Sequence, residues 1–348
     1  MLRAIILGIV QGLTEFLPIS SSAHLSIVPR LLGYAAPTLA FEVLLHFGTL
    51  VAVAAYFARD LRAFLLCLVA PGRLRPEETR TRRRLLGLLA LASVPAAVVG
   101  FLLQDWADQQ TARPLRASVW LVLTTVIMIA AELYDRARRS RGRPEGGEAA
   151  PAGVWTAGDA RSGGRLGSPS GGPDGAGSGS GVRGVGEAGG VHSGGGSGGA
   201  GDVRDAGRVR GGGGPVSAER ELDRLPAAKA TGIGLGQALA LVPGTSRSGI
   251  TISVGLFEGV SREAAARFSF LLSIPAILGA GILKLDDLAG ATETPAQLVA
   301  GTLAAAISGF LAVSFLIRLL RTRTLWPFIW YRLVAGTLFV LLLSTVRA

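Results

Sequence analysis

The stretch QGLTEFLPISSSAHL, residues 11–25, places a carboxylate, three consecutive serines and a histidine inside an otherwise apolar N-terminal segment. The surrounding segment, residues 2–33, is apolar at its ends but polar and proline-broken in its middle. Within a lipid bilayer, backbone that is not helical is tolerated only where protein or a watery cavity surrounds it. We therefore predict that this segment enters and leaves the membrane on the same side, as a re-entrant helical hairpin.

The composition indicates an integral membrane protein. Of the 348 residues, 49% are hydrophobic, and the mean hydropathy is +0.45, which is far from the soluble globular norm. The net charge of +11 comes almost entirely from arginines between the apolar runs. This pattern favours anionic lipid headgroups over nucleic acid as the neighbour of the positive charge. The lone Cys67 excludes an internal disulfide, and three histidines argue against a zinc cluster.

Apolar runs long enough to cross a hydrocarbon core of ~30 Å predict six membrane spans. A second segment, residues 230–258, is glycine-rich and proline-broken like the first, and predicts a second re-entrant hairpin. The predicted fold class is therefore an all-α polytopic membrane protein. The predicted spans are residues 38–58, 84–104, 117–133, 264–284, 296–320 and 326–345.

The two halves of the chain resemble each other. PISSS at 18–22 corresponds to PGTSR at 243–247, which aligns Ser21 with Ser246, and FEVLLH at 41–46 corresponds to FSFLLS at 268–273. Each half then holds one hairpin and three spans, so the second half is inserted upside down and the chain is an inverted repeat. We predict a first membrane repeat at 1–140, a disordered linker rich in Gly, Ser and Arg at 141–228, and a second, inverted repeat at 229–348.

The arginines predict the orientation. The loop at 59–84, the linker and the segment 318–324 are basic, and by the crossing count all three lie on one side of the membrane. Short basic loops face the cytoplasm. The first hairpin, the cavity above it and both chain ends are therefore expected to face outward.

The polar residues of the first hairpin suggest a functional site. Gln11 and Glu15 are four residues apart and share a helix face, and an ionisable residue at membrane depth indicates function by default. Pro18 breaks the helix, and His24 and three hydroxyls follow it. Under a structural alternative, the serines satisfy backbone groups freed by the proline and His24 bonds a carbonyl. The hydroxyls are those of Ser20, Ser21 and Ser22.

The second hairpin supplies an anion-binding counterpart, LVPGTSRSGIT at residues 241–251. Gly244 and Gly249 allow backbone N–H groups to approach a ligand, and such groups with small hydroxyls form an anion-binding concavity. Arg247 adds a planar, permanently charged fork suited to phosphate oxygens. In an empty site we expect Arg247 to pair with Glu15. The hydroxyls here are those of Thr245, Ser246 and Ser248.

QGLTEFLPISSSAHL and PGTSRSG together resemble the two signature motifs of the undecaprenyl-pyrophosphate phosphatases, the bacitracin-resistance family. The resemblance covers the whole chain apart from the linker. It implies a hydrolase, dependent on a divalent cation, that acts on a polyprenyl pyrophosphate at the outer side of the bacterial cytoplasmic membrane and regenerates the lipid carrier for peptidoglycan. Gln11 occupies the place of the family's first acid. Residue by residue, the family's functional positions fall on Glu15, Ser20, Ser21, His24 and Arg247.

The resemblance and the chemistry of the residues predict roles. Glu15 would bind Mg²⁺ or Ca²⁺, and with Arg247 it would neutralise the charge of the transferring phosphoryl group. Ser21 is the predicted nucleophile and His24 its base, while the reverse assignment, with His24 attacking first, stays open. Glu42 is expected to orient the cluster, although a purely structural hydrogen bond would explain it equally well.

Other readings also stay open at this stage. An inverted-repeat secondary transporter or lipid flippase would have the same architecture. It would not need a serine and a histidine facing an arginine. The expected partners are the lipid substrate and membrane lipids, without nucleic acid, and the architecture is compatible with a homodimer.

Overall fold

The computed structural model describes residues 1–103, 106, 113–141, 217–284, 286 and 290–345, and within these ranges the chain is helical and contains no strand. Met1–Arg143 and Gly214–Ala348 belong to one compact unit. Its α-helices in the described ranges are α1 Leu2–Phe16, α2 Ser21–Leu31, α3 Leu39–Tyr56, α4 Ala58–Val69, α5 Pro76–Leu102, α6 Pro114–Leu123, α7 Thr125–Arg141, α8 Ala218–Asp223, α9 Ala227–Leu239, α10 Arg247–Phe257, α11 Arg262–Leu283, α12 Pro295–Thr322 and α13 Trp326–Thr345.

Six helical segments are long and apolar enough to cross a membrane, as the sequence predicted, and the protein is a multi-pass all-α membrane protein. They are α3, α5, the pair α6 and α7 joined at Thr124, α11, α12 and α13. The second span begins at Pro76 rather than at residue 84. Its first turns are held by arginine contacts: Arg82 pairs with Asp60 at 2.8 Å, and Arg83 donates to the Cys67 carbonyl at 3.0 Å.

Most of the predicted linker, residues 142–216, lies outside the described residues. The predicted boundary at 228 is wrong, because Ala218–Asp223 is helical and α9 begins at Ala227. Ser217 caps α8 by accepting a hydrogen bond from the Arg220 N–H, and Leu222 is buried in the core. A capped turn with a buried leucine is stabilised by packing that composition alone does not reveal.

Both predicted hairpins are pairs of helices joined by a break. α1 ends at Phe16 and α2 begins at Ser21, while α9 ends at Leu239 and α10 begins at Arg247. The residue before each second arm is a serine in the left-handed region, Ser20 with φ 73° and Ser246 with φ 71°, and these are the only non-glycine residues with positive φ in the described ranges. The two breaks therefore share one backbone geometry.

This geometry corrects the predicted alignment of the halves by one residue. Ser20 corresponds to Ser246, so Ser21 corresponds to Arg247 and not to Ser246. The Ser20–Ser22 hydroxyl contact of 3.3 Å is matched by a Ser246–Ser248 contact of 3.4 Å. The shared prolines misled the alignment because the second break contains one residue more between its proline and its second arm. The inverted relation of the halves stays a prediction.

Each hairpin packs its first arm against a span of the other half. A Cβ on Gly12 of α1 would lie 2.0 Å from the Ser308 hydroxyl of α12, and one on Gly234 of α9 would lie 2.2 Å from the Ala92 carbonyl of α5. Small residues allow such close backbone approach between helices in membranes. The packing holds both breaks inside the protein, which is where non-helical backbone is tolerated.

Ion pairs at one end of the helices and a side-chain hydrogen bond at another tie them together. At the basic end, Arg262 of α11 contacts Glu132 at 2.6 Å and Asp135 at 2.8 Å, both on α7. At the other end, Thr38 donates to Glu293 at 2.5 Å.

Candidate active site

Glu15 is the centre of a polar cluster between the two hairpins. Arg247 Nη2 donates to Glu15 Oε1 at 2.7 Å, which is the pairing that the sequence predicted. Ser21 Oγ donates to Glu15 Oε2 at 2.6 Å, and Gln11 Nε2 donates to the same oxygen at 3.2 Å. Glu15 is 9% exposed, so its charge is balanced by direct contacts rather than by water.

The breaks explain why these side chains meet. Ser21 is the first residue of α2 and Arg247 the first residue of α10, and both reach the carboxylate of Glu15. The unpaired N–H groups and the dipole of a helix N-terminus favour a negative charge. The first side chains of two helices therefore converge on one carboxylate.

Most of the other predicted ligand groups hold the hairpins together instead. The Ser22 hydroxyl accepts from Gly244 N–H at 3.0 Å, and the Ser248 hydroxyl donates to the Leu17 carbonyl at 3.2 Å. The Ser246 hydroxyl accepts from Gly249 N–H at 3.2 Å, and that of Thr245 donates to the Val242 carbonyl at 2.7 Å. For these hydroxyls the structural alternative, satisfaction of broken backbone, describes the observed contacts.

Gly244 has φ 96°, and a Cβ there would lie 2.1 Å from the Ala117 carbonyl. Only glycine fits this turn, because both the backbone conformation and the close approach to α6 exclude a side chain. The glycine is therefore required by packing, and its predicted role as a ligand-facing backbone position stays a prediction.

His24 does not join the cluster. Its Nδ1 lies 2.7 Å from the Ser20 carbonyl, and its Nε2 lies 2.7 Å from the Tyr331 hydroxyl. The ring also stacks on Tyr331, with centroids 5.7 Å apart. Because a carbonyl only accepts, Nδ1 carries the proton and Nε2 accepts from the phenol. The pairing of His24 with Ser21 is therefore a wrong prediction for this conformation, since both ring nitrogens are engaged elsewhere.

A different histidine approaches Glu15. His46 of α3 places Nε2 3.7 Å from Glu15 Oε2, while its Nδ1 lies 2.8 Å from the Glu42 carbonyl. His46 was not among the site residues predicted from the sequence. The available signal was its position on the first span, one helical turn after the carboxylate of Glu42, which was itself a predicted site residue.

Arg332 of α13 is a second residue that the sequence analysis missed. It is fully buried and donates to the Pro18 carbonyl at 3.3 Å, the Thr245 carbonyl at 3.2 Å and the Thr125 hydroxyl at 2.9 Å. It therefore links the breaks of both hairpins to the third span. The signal was an arginine in the middle of an apolar span, which is expensive in a membrane unless it has such a role.

Two cavities meet at Arg247. One, of about 270 Å³, is lined by Glu42, His46 and Arg247 together with apolar residues of α3 and α11. The other, of about 470 Å³, lies between α5, α9 and α11. Arg247 and Lys284 line both cavities. The site thus combines a polar centre with apolar walls.

The described residues contain no group of three or more His, Cys, Asp or Glu side chains arranged to hold a metal ion. Glu15 is the carboxylate at the centre, and both of its oxygens are already engaged. Gln11 Oε1 beside it is buried without a partner in the described ranges. This donor set does not form a permanent metal site, but it fits a cation held mainly by substrate phosphates, as Mg²⁺ commonly is.

Comparison with known proteins identifies the family. Residues 4–157 and 207–338 match the family model described as bacitracin resistance protein BacA. The chain belongs to this family. A relative from Thermomicrobium roseum is 38% identical over 99% of this chain and 99% of its own length, and one from Alcanivorax borkumensis is 36% identical over 96% of each chain. A third, from Chlorobium phaeovibrioides, is 35% identical over 99% of this chain and 97% of its own.

All three relatives are named undecaprenyl-diphosphatase. The family match includes both hairpins, and therefore the cluster formed by Glu15, Ser21 and Arg247.

Proposed function

We propose that this chain hydrolyses undecaprenyl pyrophosphate to undecaprenyl phosphate and phosphate, and so recycles the lipid carrier of peptidoglycan synthesis and confers bacitracin resistance. The observation that carries the proposal is the convergence of Ser21 and Arg247 on Glu15 between two broken helices. A hydroxyl bonded to a carboxylate, beside a guanidinium and two helix N-termini, can receive a phosphoryl group. The names of the relatives support the choice of substrate.

Ser21 is the proposed nucleophile. Its hydroxyl already donates to Glu15 Oε2 at 2.6 Å, so Glu15 accepts the proton as the oxygen attacks the terminal phosphorus. The bond from that phosphorus to the bridging oxygen breaks, and lipid monophosphate leaves with the electron pair. Water then cleaves the phosphoserine and releases phosphate. The alternative with His24 as nucleophile would require its ring to leave Ser20 and Tyr331.

Arg247 has two roles in this scheme. In the empty site it neutralises Glu15, and with substrate its fork turns to the phosphate oxygens, which it can bind at two points. Glu15 Oε1 is then released, and together with Gln11 Oε1 it would hold a Mg²⁺ or Ca²⁺ that enters with the diphosphate. When bound, such a cation reduces the negative charge of the diphosphate.

The test is phosphate release from a polyprenyl diphosphate by the purified protein in detergent, with and without EDTA. Wild-type protein should release phosphate, EDTA should reduce the rate, and added Mg²⁺ or Ca²⁺ should restore it. Ser21→Ala should form no acid-stable phosphoprotein on rapid quenching. Binding without phosphate release would favour the alternative of a secondary transporter or flippase.

We propose further that the site opens to the outer face of the bacterial cytoplasmic membrane. The basic end of the molecule carries the arginines of α4, α5 and α7, and short basic segments face the cytoplasm. In intact cells, an impermeant maleimide should label Ala35→Cys near the start of α3 and should not label Arg75→Cys before α5. The native Cys67 is buried and gives the background. The reverse labelling pattern would invert the orientation.

A further inference from the structure

The side-chain amide of Gln237 is buried and takes no part in the proposed hydrolysis. It lies in the last turn of α9 and is 3% exposed. Neither its Oε1 nor its Nε2 has a hydrogen-bond partner in the described part of the chain. A buried polar group left unpaired costs about 1–3 kcal/mol. An amide with both ends unpaired therefore indicates a missing partner.

The amide lines the cavity of about 470 Å³, whose walls are otherwise mostly apolar and come from α5, α9 and α11. Arg247 lines the same cavity. While Arg247 Nη2 binds Glu15, its Nη1 is buried and has no partner among the described residues. Two unpaired donors, Gln237 Nε2 and Arg247 Nη1, thus belong to one cavity. Its occupant should carry anionic oxygens and an apolar chain.

Arg247 also lines the second cavity, of about 270 Å³, where it meets Glu42 and His46. Its guanidinium therefore lies between two compartments, with one nitrogen engaged by Glu15 and the other unpaired. A diphosphate has two phosphates joined by one oxygen. The two terminal nitrogens of the planar Arg247 guanidinium can each donate to one of these two phosphates.

The corrected alignment of the halves supports a separate binding position for each of the two phosphates. With Ser21 opposite Arg247, Gln11 falls opposite Gln237, and both lie on the first arm of a hairpin. Gln11 donates to Glu15, which holds Ser21, the group that attacks the terminal phosphorus in the proposed scheme. Gln237 occupies the corresponding place on the side of the apolar cavity.

We propose that Gln237 Nε2 and Arg247 Nη1 form a subsite for the phosphate that stays on the lipid, with the first isoprenoid units in the apolar cavity. The inference rests on the proposed function, since it assigns the second phosphate of that substrate. It predicts that the lipid monophosphate binds at the same subsite.

The experiment measures binding without turnover. Isothermal titration of the purified full-length protein in detergent uses three probes: geranylgeranyl monophosphate, geranylgeraniol and inorganic phosphate. Wild-type protein should bind the monophosphate most tightly. Gln237→Leu, a substitution of similar size, should weaken that affinity roughly 10-fold or more, since a hydrogen bond to a charged group contributes about 1.5–3 kcal/mol. Its affinity for geranylgeraniol should stay unchanged.

The matched control is Ser93→Ala, which removes another polar group from the same cavity, one whose hydroxyl already donates to the Leu89 carbonyl at 2.7 Å. It should leave the affinity for the monophosphate within about twofold. The thermal midpoint of empty Gln237→Leu should equal or exceed that of wild type, because an unpaired buried amide is replaced by an apolar group. A lower midpoint would indicate a structural role and overturn the subsite.

Three further results would also overturn it. They are wild-type affinity for the monophosphate in Gln237→Leu, an effect on inorganic phosphate alone, and equal losses in Gln237→Leu and Ser93→Ala. The outcome is separate from the proposed function, because the monophosphate is not hydrolysed in this assay. A wild-type protein that binds monophosphate through Gln237 but releases no phosphate from the diphosphate would retain the subsite and lose the phosphatase assignment.

Discussion

Ser21 and Arg247 occupy corresponding positions on the two hairpins, each as the first residue after a left-handed serine, and both bind the carboxylate of Glu15. One break thus contributes a hydroxyl and the other a cation. The same backbone geometry used twice positions two different chemical groups on one centre.

Removing either charge of the central pair should abolish most turnover. We expect Glu15→Gln and Arg247→Ala each to lower phosphate release roughly 10²–10³-fold or more, because each removes charge stabilisation at the transferring group. Arg247→Lys should not restore the rate, since an ammonium lacks the planar fork. The double variant Glu15→Gln/Arg247→Ala should unfold at a higher temperature than Arg247→Ala alone, which leaves a buried carboxylate without its cation. Normal turnover by either single variant would contradict the site assignment.

Ser21 and His24 should differ in their effects. Ser21→Ala is expected to lose nearly all phosphate release, because it removes the attacking oxygen. His24→Ala should retain a measurable rate, since its ring contacts Ser20 and Tyr331 and not Ser21. Tyr331→Phe removes the hydroxyl that bonds His24 and should have a smaller effect in the same direction. A trapped phosphohistidine, or a slower His24→Ala than Ser21→Ala, would reverse the roles.

Arg332 should be essential for stability as well as activity. Arg332→Met removes the donors for the Pro18 and Thr245 carbonyls, and each unsatisfied buried group costs about 1–3 kcal/mol. We expect a large fall in the thermal midpoint and, because the breaks lose their common anchor, in turnover. The control is Arg321→Met, whose partner Glu263 lies at the surface and whose pair contributes about 0–1 kcal/mol. Equal midpoints for the two variants would disprove the anchoring role.

The contact between α1 and α12 should depend on a single small residue. A Cβ at Gly12 would lie 2.0 Å from the Ser308 hydroxyl and 2.5 Å from the Ala305 carbonyl, so Gly12→Ala should separate the helices and lower the thermal midpoint. Gly87→Ala is the control, because no atom lies within 4 Å of its added Cβ. Alanine there should raise helix stability by up to about 1 kcal/mol. A stable, active Gly12→Ala would show that the first hairpin tolerates displacement.

The sequence by itself determined the spans, the two broken helices and the central ion pair. Apolar runs of sufficient length predict membrane spans, and a proline among glycines and hydroxyls favours a break in a helix. A carboxylate and an arginine at these two breaks are expected to form an ion pair, because an unpaired charge at membrane depth is too costly. These conclusions depend on the chemistry of short segments and on the lipid bilayer as their solvent. Both can be inferred from the amino-acid sequence.

Which groups share a site depends on the rotation and packing of the helices, which the sequence does not show. His24 and His46 are both near hydroxyls or carboxylates in sequence, yet helix rotation and packing turn His24 to Tyr331 and bring His46 to Glu15. The register of the two breaks, and with it the correspondence of Gln11 and Gln237, depends on backbone angles that a shared proline does not specify. The roles inferred for Arg332 and Gln237 depend on the groups that surround them in the folded protein. Arg332 donates to carbonyl groups of both hairpins, and the Gln237 amide has no hydrogen-bond partner among the described residues. Neither fact can be read from the sequence, because side chains distant in sequence meet only when the helices pack.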